Sequence, residues 1–261
     1  MPGPYNEIDV AISYIHNHLY EPLSLSHIAS YVGYSSYHFS RLFKEKTGLS
    51  PLYYVSSLRL QKAKELLLNT NLTVRDIGLE IGQQSLGTFT TRFTKCVGMS
   101  PSHFRESMNQ VNHSLHSLQM LSDWRTSLQS IRPFSTVTGT IDSEAPLEGF
   151  ILIGLFSKPI PEGLPLYGNL LSSTGAFSFI GVKPGIYYLM ATSISWSMQA
   201  KDILLPYTTL RGRIKEPIIV TESPSILEYS LTLHTPRLDD PPILISLPLL
   251  MKNFLKARIA T

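Results

Sequence analysis

Three side chains suited to contacting a polyanion recur on one face of the segment Ser35–Pro51. At the rotation of about 100° per residue of an α-helix, Tyr37, Arg41 and Lys44 point the same way. An arginine can donate two hydrogen bonds to guanine O6 and N7, which is worth about 1–3 kcal/mol of discrimination between bases. A tyrosine can pack on a thymine methyl group or a sugar, and a lysine farther along meets phosphate. This face predicts a contact with the major groove of DNA.

The same segment carries the signals that would fold and hold it. Opposite the polar face lies an apolar stripe of Phe39, Leu42 and Phe43. Ser35 or Ser36 can cap the start of the helix, and Gly48 can end it. Upstream, the spacing predicts a helix over about residues 7–18, and a shorter helix runs from the Ser24 cap to Gly33. Two short helices joined by a glycine-containing turn predict a helix-turn-helix.

This pattern returns about fifty residues later, with one residue inserted. The segment LSHIASYVG of the first unit matches VRDIGLEIG of the second. The matched anchors are Ile28 and Ile77, Gly33 and Gly82, Phe39 and Phe89, Phe43 and Phe93, Gly48 and Gly98, Ser50 and Ser100, Pro51 and Pro101, and Tyr54 and Phe104. Two copies in order indicate a duplicated unit and not a solenoid.

Between the copies, Pro51–Asn69 predicts a helix with Pro51 at its first position. At 1.5 Å per residue this helix is about 28 Å long. Successive major grooves on one face of DNA are about 34 Å apart. The helix can therefore hold two recognition helices in adjacent grooves; the alternative is an all-helical core with no ligand.

Positive charge concentrates in the same region, although the whole chain of 261 residues carries only +3. Between Tyr34 and Lys64 six basic residues face one acid, Glu45. The basic residues are Arg41, Lys44, Lys46, Arg59, Lys62 and Lys64. Such a run predicts an electrostatic footprint for phosphate, and its alternative is a solvated helix face.

These features resemble the DNA-binding domain of the AraC/XylS family of bacterial transcription regulators. The resemblance rests on LSHIASYVGYSSYHFSRLFKEKTGLSP, on RLQKAKELLL, and on DIGLEIGQQSLGTFTTRFTKCVGMSPSHFR, within about residues 5–110. It implies a two-motif domain that binds an asymmetric promoter site and acts with RNA polymerase. Many members carry a separate sensing domain, often a cupin-like barrel that precedes the DNA domain.

The candidate DNA contacts are unequal in the two units. The first unit offers Ser36, Tyr37, Ser40, Arg41 and Lys44. The second offers Gln84, Thr88, Thr91, Arg92 and Lys95, the last two toward phosphate. Where the first unit has Tyr37, Arg41 and Lys44, the second has Gly87, Thr91 and Thr94, and family members often have arginine at the position of Thr91. We expect the first unit to read bases more strictly and the second to anchor. The alternative role of Arg41 is a surface ion pair with Glu45.

The second half of the chain predicts an all-β domain, so the fold class is an all-α two-motif helix-turn-helix domain followed by a β-sandwich. Short apolar runs separated by proline and glycine predict six strands. They are Thr136–Ile141, Phe150–Phe156, Ala176–Phe179, Ile186–Thr192, Ile218–Val220 and Ile226–His234. FSFIGVKPGIYYLMA at Phe177–Ala191 resembles the strand–turn–strand hairpin of prealbumin-like and carboxypeptidase regulatory-like sandwiches, which are mostly structural or binding modules.

The predicted domains are residues 1–112 for DNA binding, 113–131 as a helical linker, 132–238 as the sandwich and 239–261 as an apolar tail docked on the protein, with a short helix after Pro248.

His234 stands alone on its strand, is expected to be exposed, and predicts no metal site. Trp196, Tyr187 and Tyr188 are expected in the sandwich core; lining a pocket is their alternative.

Other classes of protein find no support in the sequence. There is no secretory signal, no membrane span, and a single cysteine, Cys96, so we expect a cytoplasmic protein. Cys96 is expected in a helical core, with a redox switch as the alternative. Hydrolase, phosphate-loop and metal motifs are missing, which predicts no enzyme, no catalytic residues, no metal and no cofactor. Promoter DNA, RNA polymerase, a small-molecule effector and a homodimer partner are the expected partners. The alternative function is a sequence-indifferent architectural DNA-binding protein.

Overall fold

A computed structural model of the chain describes residues 4–83, 85–121, 124 and 134–259. It divides into two compact units. The helical unit comprises Met1–Arg105 and Arg237–Ile245, and the β unit comprises Glu106–Pro236 and Ser246–Thr261. The boundary falls at Arg105, whereas the sequence-based limit is residue 112. The segment predicted as one tail, residues 239–261, is shared between the two units.

The described part of the first segment of the helical unit contains seven helices, and the last of them extends one residue past Arg105. They are α1 (Pro4–Asn17), α2 (Leu25–Tyr31), α3 (Ser36–Thr47), α4 (Pro51–Asn69), α5 (Val74–Glu80), α6 (Leu86–Val97) and α7 (Pro101–Glu106). Helices α2 and α3 form the first helix-turn-helix, α5 and α6 form the second, and α4 joins them. The 19-residue length of α4 agrees with the sequence prediction.

Side-chain caps and glycines set the ends of these helices in both copies. The hydroxyl of Ser35 accepts a hydrogen bond from His38 N at the start of α3, and that of Ser85 does the same from Thr88 N at the start of α6. Each helix ends at a glycine with positive φ, +80° at Gly48 and +86° at Gly98. Only glycine adopts this conformation without steric cost, so these residues fix where the chain turns.

The predicted repeat is confirmed by the aromatic core of each copy. Phe39 packs on Phe43 with ring centroids 5.4 Å apart, and Phe43 packs on Tyr54 of α4 at 5.4 Å. In the second copy Phe89 packs on Phe93 at 5.7 Å, and Phe93 on Phe104 of α7 at 5.8 Å. All six rings are at most 1% exposed. Each copy therefore fixes its second helix by the same three-ring chain, which ends on the helix that follows.

The β unit contains two sheets. Its strands are β1 (Ser135–Ser143), β2 (Gly149–Phe156), β3 (Tyr167–Leu171), β4 (Gly175–Val182), β5 (Gly185–Ser195), β6 (Arg211–Arg213), β7 (Ile218–Val220) and β8 (Ile226–Leu233). One sheet has the order β4-β1-β8, with β1 and β8 parallel. The other has the order β3-β2-β5-β6, and β7 pairs with the start of β5. The six predicted strands are present; β3 and β6 were not predicted.

The predicted hairpin over Phe177–Ala191 is wrong. β4 pairs with β1, whereas β5 pairs with β2, β6 and β7, so the turn at Gly181–Gly185 carries the chain from one sheet to the other. Glycine and proline at a turn do not specify which strands pair, and a hairpin and a turn between sheets have the same local signal. Apolar side chains of both sheets, Ile141 and Leu189 among them, form one shared core. The prealbumin-like type of sandwich stays a prediction.

Three helices complete the β unit: α8 (Met108–Gln119), α9 (Ala200–Leu204) and α10 (Leu247–Ile259). Trp124 packs against Phe150, Trp196 and Phe254, with ring centroids 5.8, 6.3 and 5.9 Å away. Much of the predicted linker, residues 122–123 and 125–131, lies outside the described residues. Within the described ranges, every helix falls short of the length or the apolar character that crossing a bilayer requires.

Candidate nucleic-acid interface

The three outward side chains of α3, Tyr37, Arg41 and Lys44, form what we call the α3 face. All three are exposed, Tyr37 at 82%, although an aromatic ring is usually at least partly buried. Ser36 and Ser40 are half-buried at the edges of this face. The buried rings of α3 hold the helix from behind, so its polar side stands free in the helical unit. This arrangement matches the sequence prediction for the first unit.

The corresponding side chains of α6, Gly87, Thr91 and Thr94, form the α6 face. All three are exposed, and the hydroxyl of Thr94 donates to Thr90 O of its own helix at 2.8 Å. The α6 face is therefore small and uncharged. Thr88, beside it, is also exposed. Leu86, the first residue of α6 and one turn before Phe89, lies on the core side of the helix by its spacing but is 47% exposed.

The remaining candidates of the second unit differ in their surroundings. Lys95 is exposed, as a phosphate contact requires. Arg92 is half-buried, and its guanidinium carbon lies 5.8 Å from the centre of the Tyr53 ring on α4. This contact orients Arg92 along α4 and restricts its reach. Gln84 lies outside the described residues.

The basic run between Tyr34 and Lys64 is mostly engaged within the helical unit. Lys46 pairs with Asp9 of α1 at 2.5 Å, and Lys62 pairs with Glu65 at 2.6 Å. Arg59 and Lys64 donate to backbone carbonyls. Only Arg41 and Lys44 of the six are exposed on α3, so the predicted phosphate footprint reduces to these two. A count of charges along a sequence cannot separate basic residues that build the fold from those that face outward.

Two arginines that are not among the candidate base contacts, although Arg59 belongs to the basic run, fix the loops that lead into the two helix-turn-helix units. Arg59 of α4 donates from Nε to Leu19 O at 3.0 Å and from Nη2 to Glu21 O at 2.8 Å, just before α2. Arg105 of α7 donates from Nε to Leu67 O at 3.1 Å and from Nη2 to Leu72 O, just before α5. Burial lowers the pKa of Arg59. Each arginine thereby ties the loop before one unit to the helix after it.

Lys64 of α4 is buried, at 1% exposure, where Lys is rarely found without a partner. Its Nζ donates to Ile243 O at 3.1 Å and lies 5.4 Å from the centre of the Phe104 ring. Burial lowers the pKa of Lys64 to about 7. Burial also lowers the pKa of His16, whose Nε2 lies 3.4 Å from the Tyr54 hydroxyl. The sequence placed Lys64 in the basic run and gave no sign of its burial.

Of the three aromatic residues expected in the sandwich core, Tyr187 belongs to the shared core, whereas Tyr188 and Trp196 are half-buried. Tyr187 is buried in the shared core, its hydroxyl donates to Lys183 O at 2.8 Å, and burial raises its pKa. Trp196 packs on Phe150 with ring centroids 5.1 Å apart, and Tyr188 is half-buried. His234 is buried, contrary to expectation; its backbone bridges to that of Arg211, and its Nδ1 lies 2.7 Å from Thr235 O. Across the described residues, no cluster of three or more metal-ligating side chains is present.

Residues 28–107 match the family model of a helix-turn-helix domain. The chain is similar to the uncharacterized HTH-type transcriptional regulator YobQ of Bacillus subtilis, with 39% identity over 98 residues, which are 38% of this chain and 41% of YobQ. It is also similar to the uncharacterized HTH-type transcriptional regulator YfiF of the same bacterium, with 40% identity over 92 residues, 35% of this chain and 29% of YfiF. The chain thus spans less than half the length of these curated relatives.

Among solved structures, the chain is similar to a transcriptional regulator from Chromobacterium violaceum described as an AraC-type DNA-binding domain-containing protein. The identity is 33%, the match covers 40% of this chain and 92% of that one, and the TM-score is 0.39. The family match lies on the helical unit, which contains both helix-turn-helix units. The helical unit of this chain accordingly contains a helix-turn-helix domain.

Proposed function

We propose that the protein is a sequence-specific transcription regulator that places α3 and α6 in adjacent major grooves of a promoter. The observation that carries this proposal is the duplicated frame: α3 and α6 are each held by a matching three-ring core, and their two helix-turn-helix units are joined by one 19-residue helix. A helix of this length is about 28 Å long, close to the spacing of about 34 Å between successive grooves. A single chain would then read two grooves without a dimer.

The two faces would contribute differently. Arg41 would read a guanine through two hydrogen bonds, with Tyr37 packing beside it and Lys44 on phosphate. Ser36 and Ser40 would contact the groove edge. The α6 face lacks a charged group, so Thr88 and Thr91 would approach the bases closely while Arg92 and Lys95 anchor to phosphate, with Gln84 as a further candidate. Base reading would thus be stricter in the half-site of the first unit.

Selection of bound fragments from random-sequence DNA tests this proposal. The expected result is one asymmetric motif whose two halves are about one helical turn apart. Recovery of no motif, together with a steep dependence of affinity on salt, would instead support an architectural DNA-binding protein.

Variants of the α3 face sharpen the test. Arg41→Ala is expected to lower affinity for the selected site by roughly 5- to 150-fold and to relax one base position, because the bidentate contact is worth about 1–3 kcal/mol. Lys44→Ala should weaken all sequences alike and reduce the salt slope by about one. Lys252→Ala on α10 removes the same charge from an exposed position of the β unit and serves as control. If Thr91→Ala abolished discrimination and Arg41→Ala did not, the assignment of roles would be wrong.

For the β unit we propose a regulatory role: effector sensing, contact with a partner such as RNA polymerase, or dimerisation. The support is its own two-sheet core, which is separate from the helix-turn-helix frame. Repeating the selection with and without extracted metabolites tests sensing. A metabolite that changes the affinity for the selected site would support it, and an affinity that no extract changes would leave partner contact or dimerisation, which sedimentation separates.

A further inference from the structure

The segment Arg237–Ile245 belongs to the helical unit, although the chain on both sides of it belongs to the β unit. We call this segment the strap. It leaves the β unit after β8 and returns before α10, and it has no helix or strand of its own. Pro241, Pro242, Ile243, Leu244 and Ile245 are buried. Nine residues from the C-terminal part of the chain thus complete the domain that carries the helix-turn-helix units.

The strap is anchored to α4 at two points. The firm anchor is Lys64, whose Nζ donates to Ile243 O at 3.1 Å. The second is Tyr54, whose hydroxyl donates to Leu238 O at 3.5 Å, a long hydrogen bond. Ten residues of α4 between the anchors span about 15 Å. The strap begins in a turn, in which Asp240 N donates to Arg237 O at 3.1 Å, and then continues without helix or strand to Ile243.

Each anchor also belongs to the core of one helix-turn-helix unit. The ring of Tyr54 packs on Phe43 of α3 at 5.4 Å. Lys64 lies over the ring of Phe104 at 5.4 Å, and that ring packs on Phe93 of α6 at 5.8 Å. Tyr54 and Phe104 are the matched residues that end the two three-ring chains. The strap therefore contacts Tyr54, the last ring of the first chain, directly, and reaches Phe104, the last ring of the second chain, through Lys64.

We propose that the strap is a brace that fixes the spacing and orientation of α3 and α6, so that DNA binding by the helical unit depends on this C-terminal segment. The burial of an amine on α4 supports this role. Lys64 is 1% exposed, its amine donates to the strap carbonyl of Ile243, and the same amine lies over the ring of Phe104. The consequence for DNA binding rests on the proposed function; the brace itself does not.

The brace is tested in the full-length chain by a distance measurement that needs no DNA. Spin labels at Lys44→Cys and Thr94→Cys, with Cys96→Ala, report the separation of α3 and α6 by pulsed electron paramagnetic resonance. Lys64→Met keeps the apolar stem and removes the amine, and Tyr54→Phe keeps the ring and removes the hydroxyl. Both are expected to broaden or shift the distance distribution. Ser57→Ala, which removes a buried hydroxyl that donates to Tyr53 O within α4, is the matched control and should leave it unchanged.

Affinity supplies the second readout. For a duplex carrying the selected site, Lys64→Met should weaken binding by about 5- to 150-fold, the usual range of coupling between sites, and Ser57→Ala should not. Distance distributions that stay at their wild-type width and position in both strap variants would overturn the brace, and so would tighter binding by Lys64→Met. If the wild-type chain selects no DNA motif, the proposed function fails while the distance measurement still decides on the brace.

Discussion

The stability of the helical unit should depend on pH through Lys64. Its pKa is about 7 in the folded chain, against an ordinary value of 10.5, because burial disfavours the charged amine. Between these values the unfolded chain binds a proton at Lys64 that the folded chain does not. Stability therefore rises with pH from about 7 toward 10, by at most about 1.4 kcal/mol per pH unit. Below pH 7 both states are protonated and this dependence disappears.

Lys64→Met isolates this contribution, since every other titrating group is shared by the two proteins. Urea unfolding at pH 6, 7, 8 and 9, followed by circular dichroism at 222 nm, gives the free energy of unfolding of the helices. Between pH 7 and 9, the free energy of unfolding of the wild-type chain is expected to rise by about 2 kcal/mol more than that of Lys64→Met. Both tryptophans, Trp124 and Trp196, lie in the β unit, so tryptophan fluorescence gives a control transition that should show no such difference. Parallel pH profiles of the two proteins in both signals would refute a lowered pKa of Lys64.

Two further predictions concern positions fixed by close approach and by hydrogen bonding. Gly139→Ala should destabilise the β unit by about 1–3 kcal/mol or more, because the added Cβ would overlap the Tyr229 carbonyl oxygen in the pairing of β1 with β8. Tryptophan fluorescence during urea unfolding measures this loss of stability, and the exposed Ser178→Ala is the control. Equal unfolding midpoints for Gly139→Ala and the wild-type chain would contradict the prediction. Arg59→Lys should lower the stability of the helical unit by about 1–3 kcal/mol, since an ammonium cannot donate to Leu19 O and Glu21 O in the same planar geometry. Thermal unfolding followed by circular dichroism at 222 nm measures this change. A melting temperature equal to that of the wild-type chain would contradict the prediction.

The features that the sequence predicted well are those with local signals repeated in the chain. Ser35 and Ser85 cap their helices, and Gly48 and Gly98 end them, because each of these conformations depends on the residue type at one position. The aromatic anchors were found by the alignment of the two copies. A side chain that appears at the same place in both copies has the same partners in both, so the duplicated core could be predicted without knowledge of the tertiary structure.

The features that the sequence missed depend on partners far along the chain. In the sequence Lys64 is one more cation in a basic run, and its partner, the carbonyl of Ile243, lies 179 residues later. Strand β3 lacks a clear alternation of apolar and polar residues and is paired only through β2 in its sheet. The turn at Gly181–Gly185 has the local signal of a hairpin, and only the pairing of its neighbours shows that it joins two sheets.

The interior of the helical unit is duplicated, whereas its exposed faces are not. The three-ring cores differ only at Tyr54 and Phe104. The strap also makes different contacts at these two residues: it accepts a hydrogen bond from the Tyr54 hydroxyl in the first copy, and it contacts Lys64, which lies over the Phe104 ring, in the second. Equivalent cores place α3 and α6 in equivalent settings, so a difference in what they bind must come from the side chains of the faces. The two units then differ in the side chain at one equivalent position, Arg41 in α3 and Thr91 in α6, while the cores behind these helices are equivalent. Because the brace acts on both cores, it would adjust the α3 face and the α6 face together.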